Sequence, residues 1–236
     1  LKDYKKHLMS PQWSTKTVNY NQAIMSSRQE PLDSLDFFPT PPWGTRAFME
    51  FVFPQVCSTP AREQSVWEPA AGEGHMAEPL KEYFGTVSIS DVHDYGRGYG
   101  IGSFVGQGPD VLPPQHVDWI ITNPPFTLAE DFVRRALIEA RVGVAILARS
   151  VFIESDGRFP LFGGAFRAFC PFASRLPMVK GRWDPKASSA TSYAWFVWCR
   201  ELTGPLPRAE VIMIPPGAKA RCTRPDDVAR FAQPLG

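Results

Sequence analysis

Ser65-Val-Trp-Glu-Pro-Ala-Ala-Gly-Glu-Gly74 is the stretch on which the fold turns. Val66 and Trp67 predict a short buried strand that ends at Trp67 or Glu68. Small residues follow, and Gly72 and Gly74 let the backbone approach a ligand with no Cβ in the way. The next segment, His75 to Phe84, puts Met76, Leu80 and Phe84 on one helical face. Strand, glycine-rich turn and helix form the opening unit of a dinucleotide-type fold. Such a site has three glycines, and two are present here. Glu68, a carboxylate at the strand end, is a poor neighbour for a phosphate and a good one for an ammonium group. Glu68 therefore tilts the ligand away from a dinucleotide and toward a nucleoside that carries an amino acid.

Two further stretches fit around this unit. Thr86 to Val92 alternates as a strand and ends at Asp91, 19 residues beyond Gly72. An acid about 20 residues past such a turn sits where it binds ribose hydroxyls; Asp94 is the second choice. Asp118-Trp-Ile-Ile-Thr-Asn-Pro-Pro-Phe126 predicts a buried strand, Trp119 to Thr122, that stops at Asn123. The two prolines cannot donate to a central ladder, and Pro125 biases Pro124 toward an extended conformation. The strand therefore ends in a stiff tip with the Asn123 side-chain oxygen, the Pro124 carbonyl and the flat Phe126 ring. Two acceptors beside an aromatic plate suit a planar substrate bearing an amino group. A plain Asn-Pro turn is the competing reading.

Asp36-Phe-Phe-Pro-Thr-Pro-Pro-Trp43 is rigid and aromatic, and runs into a helix predicted over Thr45 to Val52 from Ala47, Phe48, Phe51 and Val52. Proline at a helix start is favourable, and the free N–H groups there favour an anion. The alternative is a loop that plugs the core with Phe37, Phe38 and Trp43.

The rest of the chain supplies a scaffold. Residues 1–34 read as a flexible polar tail and 35–236 as a single domain. Tyr95 to Gln115 is a loop with at most a short strand over Ile101–Val105, where Ser103 and Phe104 are placed to flank a purine. A helix is predicted over Leu128 to Arg141 and a continuously apolar strand over Val142 to Ala148. An aromatic strand follows at Tyr193 to Trp198, another strand at Val211 to Ile214 and a last helix at Pro225 to Phe231. The alternation predicts an α/β domain built on a mostly parallel sheet.

Bulk properties narrow the function classes. At 236 residues and 44% hydrophobic content the chain can bury a sizeable core. No apolar run approaches the roughly 20 residues of a membrane span, no signal peptide is visible, and the four scattered cysteines form no C-x-x-C pair. A cytoplasmic, reduced setting is expected. The near-zero net charge hides an asymmetry: residues 1–140 carry a net −6 and residues 141–236 a net +7. A basic second half is what a polyanion-binding face needs. Arg158, Arg167, Arg175, Lys180, Arg182, Trp183 and Lys186 lie in its aromatic-rich part, with Lys180, Arg182 and Lys186 the favoured contacts and Trp183 beside them.

Taken in order, these pieces resemble the class I S-adenosylmethionine-dependent methyltransferases, and among them the amino-methyltransferases that modify adenine in DNA. Phe38-Pro-Thr-Pro41 is similar to that family's N-terminal motif, which lies against the methionine end of the cofactor. Glu68-Pro69-Ala70-Ala-Gly72-Glu-Gly74 is similar to its cofactor-binding turn, Asp91 with Val92 to its ribose-binding segment, and Asn123-Pro124-Pro125-Phe126 to its catalytic motif. The motif order is that of the gamma arrangement. The resemblance covers about residues 36 to 200 and implies a Rossmann-like, mostly parallel seven-stranded sheet with helices on both faces. It further implies S-adenosylmethionine as cofactor, DNA as partner, methyl transfer to the exocyclic N6 of adenine and no requirement for a metal. There are two departures. Gly102-Ser-Phe-Val105 has Ser103 where the family often has an acid near the cofactor adenine. No long recognition domain is evident, so residues 150–192 must serve; the small size suits a phage or solitary enzyme as well as a restriction–modification partner. RNA adenine or a protein glutamine is the alternative acceptor, and a non-catalytic nucleic-acid-binding module is the rival class.

Overall fold

Pro42 takes the first position of a helix, where its missing N–H is harmless, so α1 (Pro42–Phe51) begins three residues before the expected Thr45. A short α2 (Phe53–Val56) follows. The strands are β1 (Ser65–Glu68), β2 (Thr86–Asp91), β3 (Gly100–Ile101), β4 (Trp119–Thr122), β5 (Gly143–Arg149), β6 (Phe166–Pro171), β7 (Tyr193–Cys199) and β8 (Glu210–Val211). The remaining helices are α3 (Ala77–Leu80), α4 (Ala129–Glu139), α5 (Ala218–Cys222) and α6 (Asp227–Phe231). This computed structural model describes residues 36–200 and 209–232, so the tail predicted over 1–34 lies outside the described residues. No described helix is long and apolar enough to cross a membrane.

The strands form one sheet in the order β3-β2-β1-β4-β5-β7-β6-β8. Pairings are parallel except around β7, which runs antiparallel to both β5 and β6. Among the described residues the sheet is thus mostly parallel, with eight strands rather than seven; the extra one is the two-residue β8 at the edge. Strand alternation sorts the core into two layers. Trp119, Ile121, Ala145, Leu147, Trp195 and Val197 face the α1 side, with Trp43, Ala47 and Phe48. Ile120, Val144, Ile146, Phe196 and Trp198 face the other side, against Phe132, Val133 and Ala136 of α4. The continuously apolar β5 and β7 are therefore strands covered on both faces.

Two expectations shift. The helix expected over His75 to Phe84 holds α-helical form only over Ala77–Leu80 and then turns. Pro79 lacks the N–H that would bond back toward His75. Within the 150–192 stretch assigned to target recognition, Phe166–Pro171 is a strand of the sheet, with Phe166, Ala168 and Cys170 buried. Arg167 on its outer side pairs with Glu210 of β8 at 2.7 Å.

One buried charge cluster closes the α1 face. The Arg46 side chain is 1% exposed and donates to both Asp227 oxygens at 2.8 Å, to Glu82 at 2.9 and 3.0 Å, and to the Cys222 carbonyl at 3.0 Å. This ties α1 to the turn after α3 and to the C-terminal helices. Arg46→Leu leaves the buried Asp227 carboxylate without its counter-ion, so unfolding in urea should show a loss of about 3–5 kcal/mol. A loss below about 1 kcal/mol would show that the clasp is dispensable.

Candidate active site

Chain order reverses between β1 and β4, its two sheet neighbours having been reached in opposite directions, and ligands in such sheets bind outside the carboxyl ends at that point. Glu68 ends β1, and Asn123 follows the last residue of β4. Between them lies a cavity of about 100 Å3, whose wall includes Phe38, Pro39 and Thr40 from the N-terminal segment. Ala70, Asp91, Val92 and Pro125 also line it.

Among the described residues, four buried polar atoms on this wall lack a hydrogen-bond partner: Thr40 Oγ1, Glu68 Oε2, His75 Nδ1 and Asn123 Oδ1. Buried polar groups are nearly always paired, so such a concentration on one cavity marks the place of a polar ligand. Glu68 is wholly buried, and its Oε1 accepts from the Ala70 N–H at 3.0 Å. Burial pushes its carboxyl up to about 8, the Thr122 side chain and the Ala70 N–H pull it back, and the charge of Asp91 adds to the rise. His75 Nε2 faces the Phe231 carbonyl at 2.9 Å. A carbonyl only accepts, so Nε2 carries the proton and Nδ1 is a bare acceptor. Burial lowers this imidazole to about 4, which keeps it neutral.

The turn after β1 is shaped by its glycines. Gly72 has φ +53° and Gly74 φ +91°. A Cβ on Gly72 would come within 2.4 Å of the Phe37 ring, which lies over the turn. Asp91 Oδ2 accepts from the Gly72 N–H at 2.8 Å and Oδ1 from the His93 N–H at 2.9 Å. Asp91 therefore braces the turn from the end of β2, and burial raises its carboxyl. Pro69 continues β1 into this turn.

The N-terminal segment also grips the strand tip. Asn123 Nδ2 donates to the Phe38 carbonyl at 2.8 Å, which turns Oδ1 the other way. The Phe126 N–H donates to Asp36 Oδ2 at 2.6 Å. The Pro125 carbonyl is taken by the Leu128 N–H, whereas the Pro124 carbonyl accepts no hydrogen bond among the described residues. Phe126 lies 5.0 Å from Phe38 and 6.2 Å from Tyr193, the latter stacked at 29°, with the Arg149 guanidinium 4.3 Å from its centroid. Phe38, Thr40, Glu68, Gly72, Asp91 and Asn123, expected as site residues, are thus brought together.

Others are not. Ser103 is buried and its hydroxyl donates to the Val105 carbonyl at 2.5 Å. Phe104 is core, edge-on to Trp67 at 5.1 Å with Arg135 over its ring. Neither lines the cavity, so the purine-flanking role expected for this pair is not supported by its placement. Trp183, expected beside substrate, is buried at 5% exposure against Phe231. Its partner lies nearly fifty residues on, beyond the reach of a local reading. Lys180, Arg182 and Lys186 are exposed, and the Gly181 N–H donates to the Phe37 carbonyl at 2.8 Å, which sets this basic segment at the rim of the cavity. Sequence reasoning missed Asp36, His75 and Tyr95 as wall residues. Asp36 opens the quoted Asp36–Trp43 stretch and His75 directly follows the quoted glycine turn, which was the available signal; Tyr95 was hidden in a glycine-rich loop.

No protein-family model and no curated protein sequence matches the chain. Solved structures do. A Pyrococcus horikoshii protein assigned as an RNA methyltransferase is similar with a TM-score of 0.52 at 10% identity, covering 78% of this chain and all of the other. A modification subunit assigned to a type I restriction enzyme of Vibrio vulnificus gives a TM-score of 0.49 at 16% identity, covering 89% of this chain and 55% of the other. At such identities the likeness is one of fold, carried by the first comparison and by the strand order: the chain has the Rossmann-like class I methyltransferase fold.

Proposed function

We propose that this protein transfers a methyl group from S-adenosylmethionine to the exocyclic N6 amino group of adenine in DNA. The observation that carries this reading is the orphaned Asn123 Oδ1: a buried acceptor, locked in orientation by the Nδ2 bond to Phe38, on the wall of the cavity. The cavity fits the cofactor by the chemistry of its acceptors. Thr40, Glu68 and His75 would take up the N–H donors of its amino-acid end, and the backbone at Gly72 with Asp91 and Val92 would meet its nucleoside. When bound, the cofactor supplies an electrophilic methyl on a sulfonium.

The protein's own part is positioning and charge stabilisation. The lone pair of an adenine amino group is delocalised into the ring, which makes it a weak nucleophile. Asn123 Oδ1 and the Pro124 carbonyl would accept its two N–H bonds and stabilise the positive charge that grows during transfer. Phe126 would hold the base by stacking, and alignment provides the proximity term. A base in a duplex has to be turned out of the stack, at a few kcal/mol. Lys180, Arg182 and Lys186 on the rim would supply the charge a polyanion meets.

Incubation with methyl-labelled cofactor and, in parallel, DNA, RNA and protein extracts tests the reading, followed by nucleoside analysis of the labelled polymer. Label in DNA as N6-methyladenine is the expected outcome. Label confined to RNA or to protein glutamine would overturn the choice of substrate. Failure to bind the cofactor in calorimetry would overturn the activity itself.

A further inference from the structure

Pro125 lines the cofactor cavity, and the next residue, Phe126, lines a second cleft of about 230 Å3. Its walls come from Phe126 and Thr127, the start of α4, the end of β5 and the turn that follows it. Two arginines stand in it. Arg149 is exposed at the end of β5, with its guanidinium over the Phe126 ring. The Arg158 guanidinium lies 4.9 Å from the Phe152 centroid and is held by backbone carbonyls: Phe152 at 2.8 Å and Glu154 at 3.1 Å. Neither arginine forms an ion pair among the described residues. Glu130, the carboxylate on the cleft wall, is taken by Arg134 at 2.7 Å. Glu154 and Asp156 are exposed on the turn and are the opposing charges that a strand must avoid.

Exposed apolar side chains accompany the cleft. Val151 on the wall is 56% exposed, and Ile153 and Phe159, which directly follow the wall residues Phe152 and Arg158 in the chain, are 40% and 63% exposed. Arginine forks without acidic partners suit phosphate oxygens, and an exposed aromatic ring beside them suits an unstacked base.

We propose that this cleft holds the phosphodiester backbone next to the modified nucleotide, with Arg149 and Arg158 as its phosphate contacts and Phe159 as the ring on which a neighbouring base stacks. The proposal rests on the nucleic-acid reading above. It also gives Arg149 two positions: over Phe126 in the free protein, and on the phosphate once a base takes that aromatic face.

The test is binding of a short fluorescent single-stranded oligodeoxynucleotide containing adenine, titrated at several salt concentrations, with cofactor affinity measured on the same preparations. Arg149→Gln and Arg158→Gln should each flatten the slope of log affinity against log salt by about 0.7. Arg149→Lys and Arg158→Lys should keep it. Phe159→Ala should weaken binding by about 5- to 100-fold without changing the slope. Cofactor affinity should hold in all five variants. An unchanged slope in both glutamine variants, with steep salt dependence in the parent, would overturn the cleft assignment and leave the proposed activity standing. Loss of cofactor affinity along with the slope would also overturn it, because the arginines would then be supporting the fold. A parent protein that binds neither DNA nor RNA would overturn the nucleic-acid reading, and this proposal with it.

Discussion

Asn123→Ala is expected to lower the rate of methyl transfer by at least about 100- to 1000-fold while cofactor affinity stays within about twofold. The scale is that of deleting one preorganised group aimed at charge that develops in a transition state. The alanine removes two things. It removes the buried Oδ1 that has no hydrogen-bond partner among the described residues, and it removes the Nδ2 donor that the Phe38 carbonyl accepts at 2.8 Å. The second loss is structural and modest, about 1 kcal/mol for one neutral hydrogen bond. Asn123→Asp separates the two. A carboxylate keeps an acceptor in the cavity but faces the Phe38 carbonyl with oxygen, so it cannot donate. The aspartate variant should therefore be less stable than the parent, and faster than the alanine variant. Single-turnover kinetics with saturating cofactor, read beside thermal unfolding, distinguishes the roles. If the alanine variant turned over like the parent, Asn123 would be only a clasp for the N-terminal segment.

That dual role was half legible in the sequence. The prolines announced that β4 stops at Asn123, and the acceptors at the tip followed from residue types alone. The partners did not follow. Phe38 and Asp36 meet the tip across more than 80 residues of chain, and nothing local in Asp36–Trp43 says that its backbone will bond to Asn123 and Phe126. The same limit explains the other differences. Apolar runs such as Val142 to Ala148 declared themselves as strands because both faces of β5 and β7 are covered. In Phe166–Pro171 the period of two is present in Phe166, Ala168 and Cys170, but Arg167 in an aromatic-rich stretch reads as part of a nucleic-acid face. Arg167 belongs instead to an edge ion pair with Glu210. Ser103 and Phe104 read as loop residues placed to flank a purine, whereas packing against Trp67 and Phe132 takes Phe104 into the core. Fold class needed only periodicity and turn chemistry. Assigning each side chain to cavity or core needed the tertiary contacts.

Glu68→Gln should change stability and cofactor affinity in opposite directions, and this opposition is what marks a binding carboxylate. In the folded protein Glu68 is pushed up from about 4.5 to about 8, chiefly by burial. A carboxyl raised on folding contributes stability that is fully present below its unfolded value and is lost as pH rises through its folded value. The parent without cofactor should therefore lose stability between about pH 5 and pH 8, with a slope of up to about 1.4 kcal/mol per pH unit from this one group. The glutamine variant, neutral throughout, should lack that slope and be the more stable protein at pH 8 and above. A cationic ammonium end of the cofactor reverses the balance, because it favours the carboxylate. Cofactor binding to the parent should release a proton below pH 8, and affinity should climb as pH approaches that value. Calorimetry in buffers of different ionisation enthalpy reads the proton directly. The variant should release none and should bind at least about 30-fold more weakly, the scale of about 2 kcal/mol for removing one partner of a buried charge pair. Thr40 Oγ1, His75 Nδ1 and Asn123 Oδ1, the other orphaned acceptors on the wall, cannot substitute, since none carries negative charge. A variant less stable at every pH, with cofactor affinity unaltered, would instead make Glu68 a brace for the Ala70 turn and move the ammonium site elsewhere on the cavity wall.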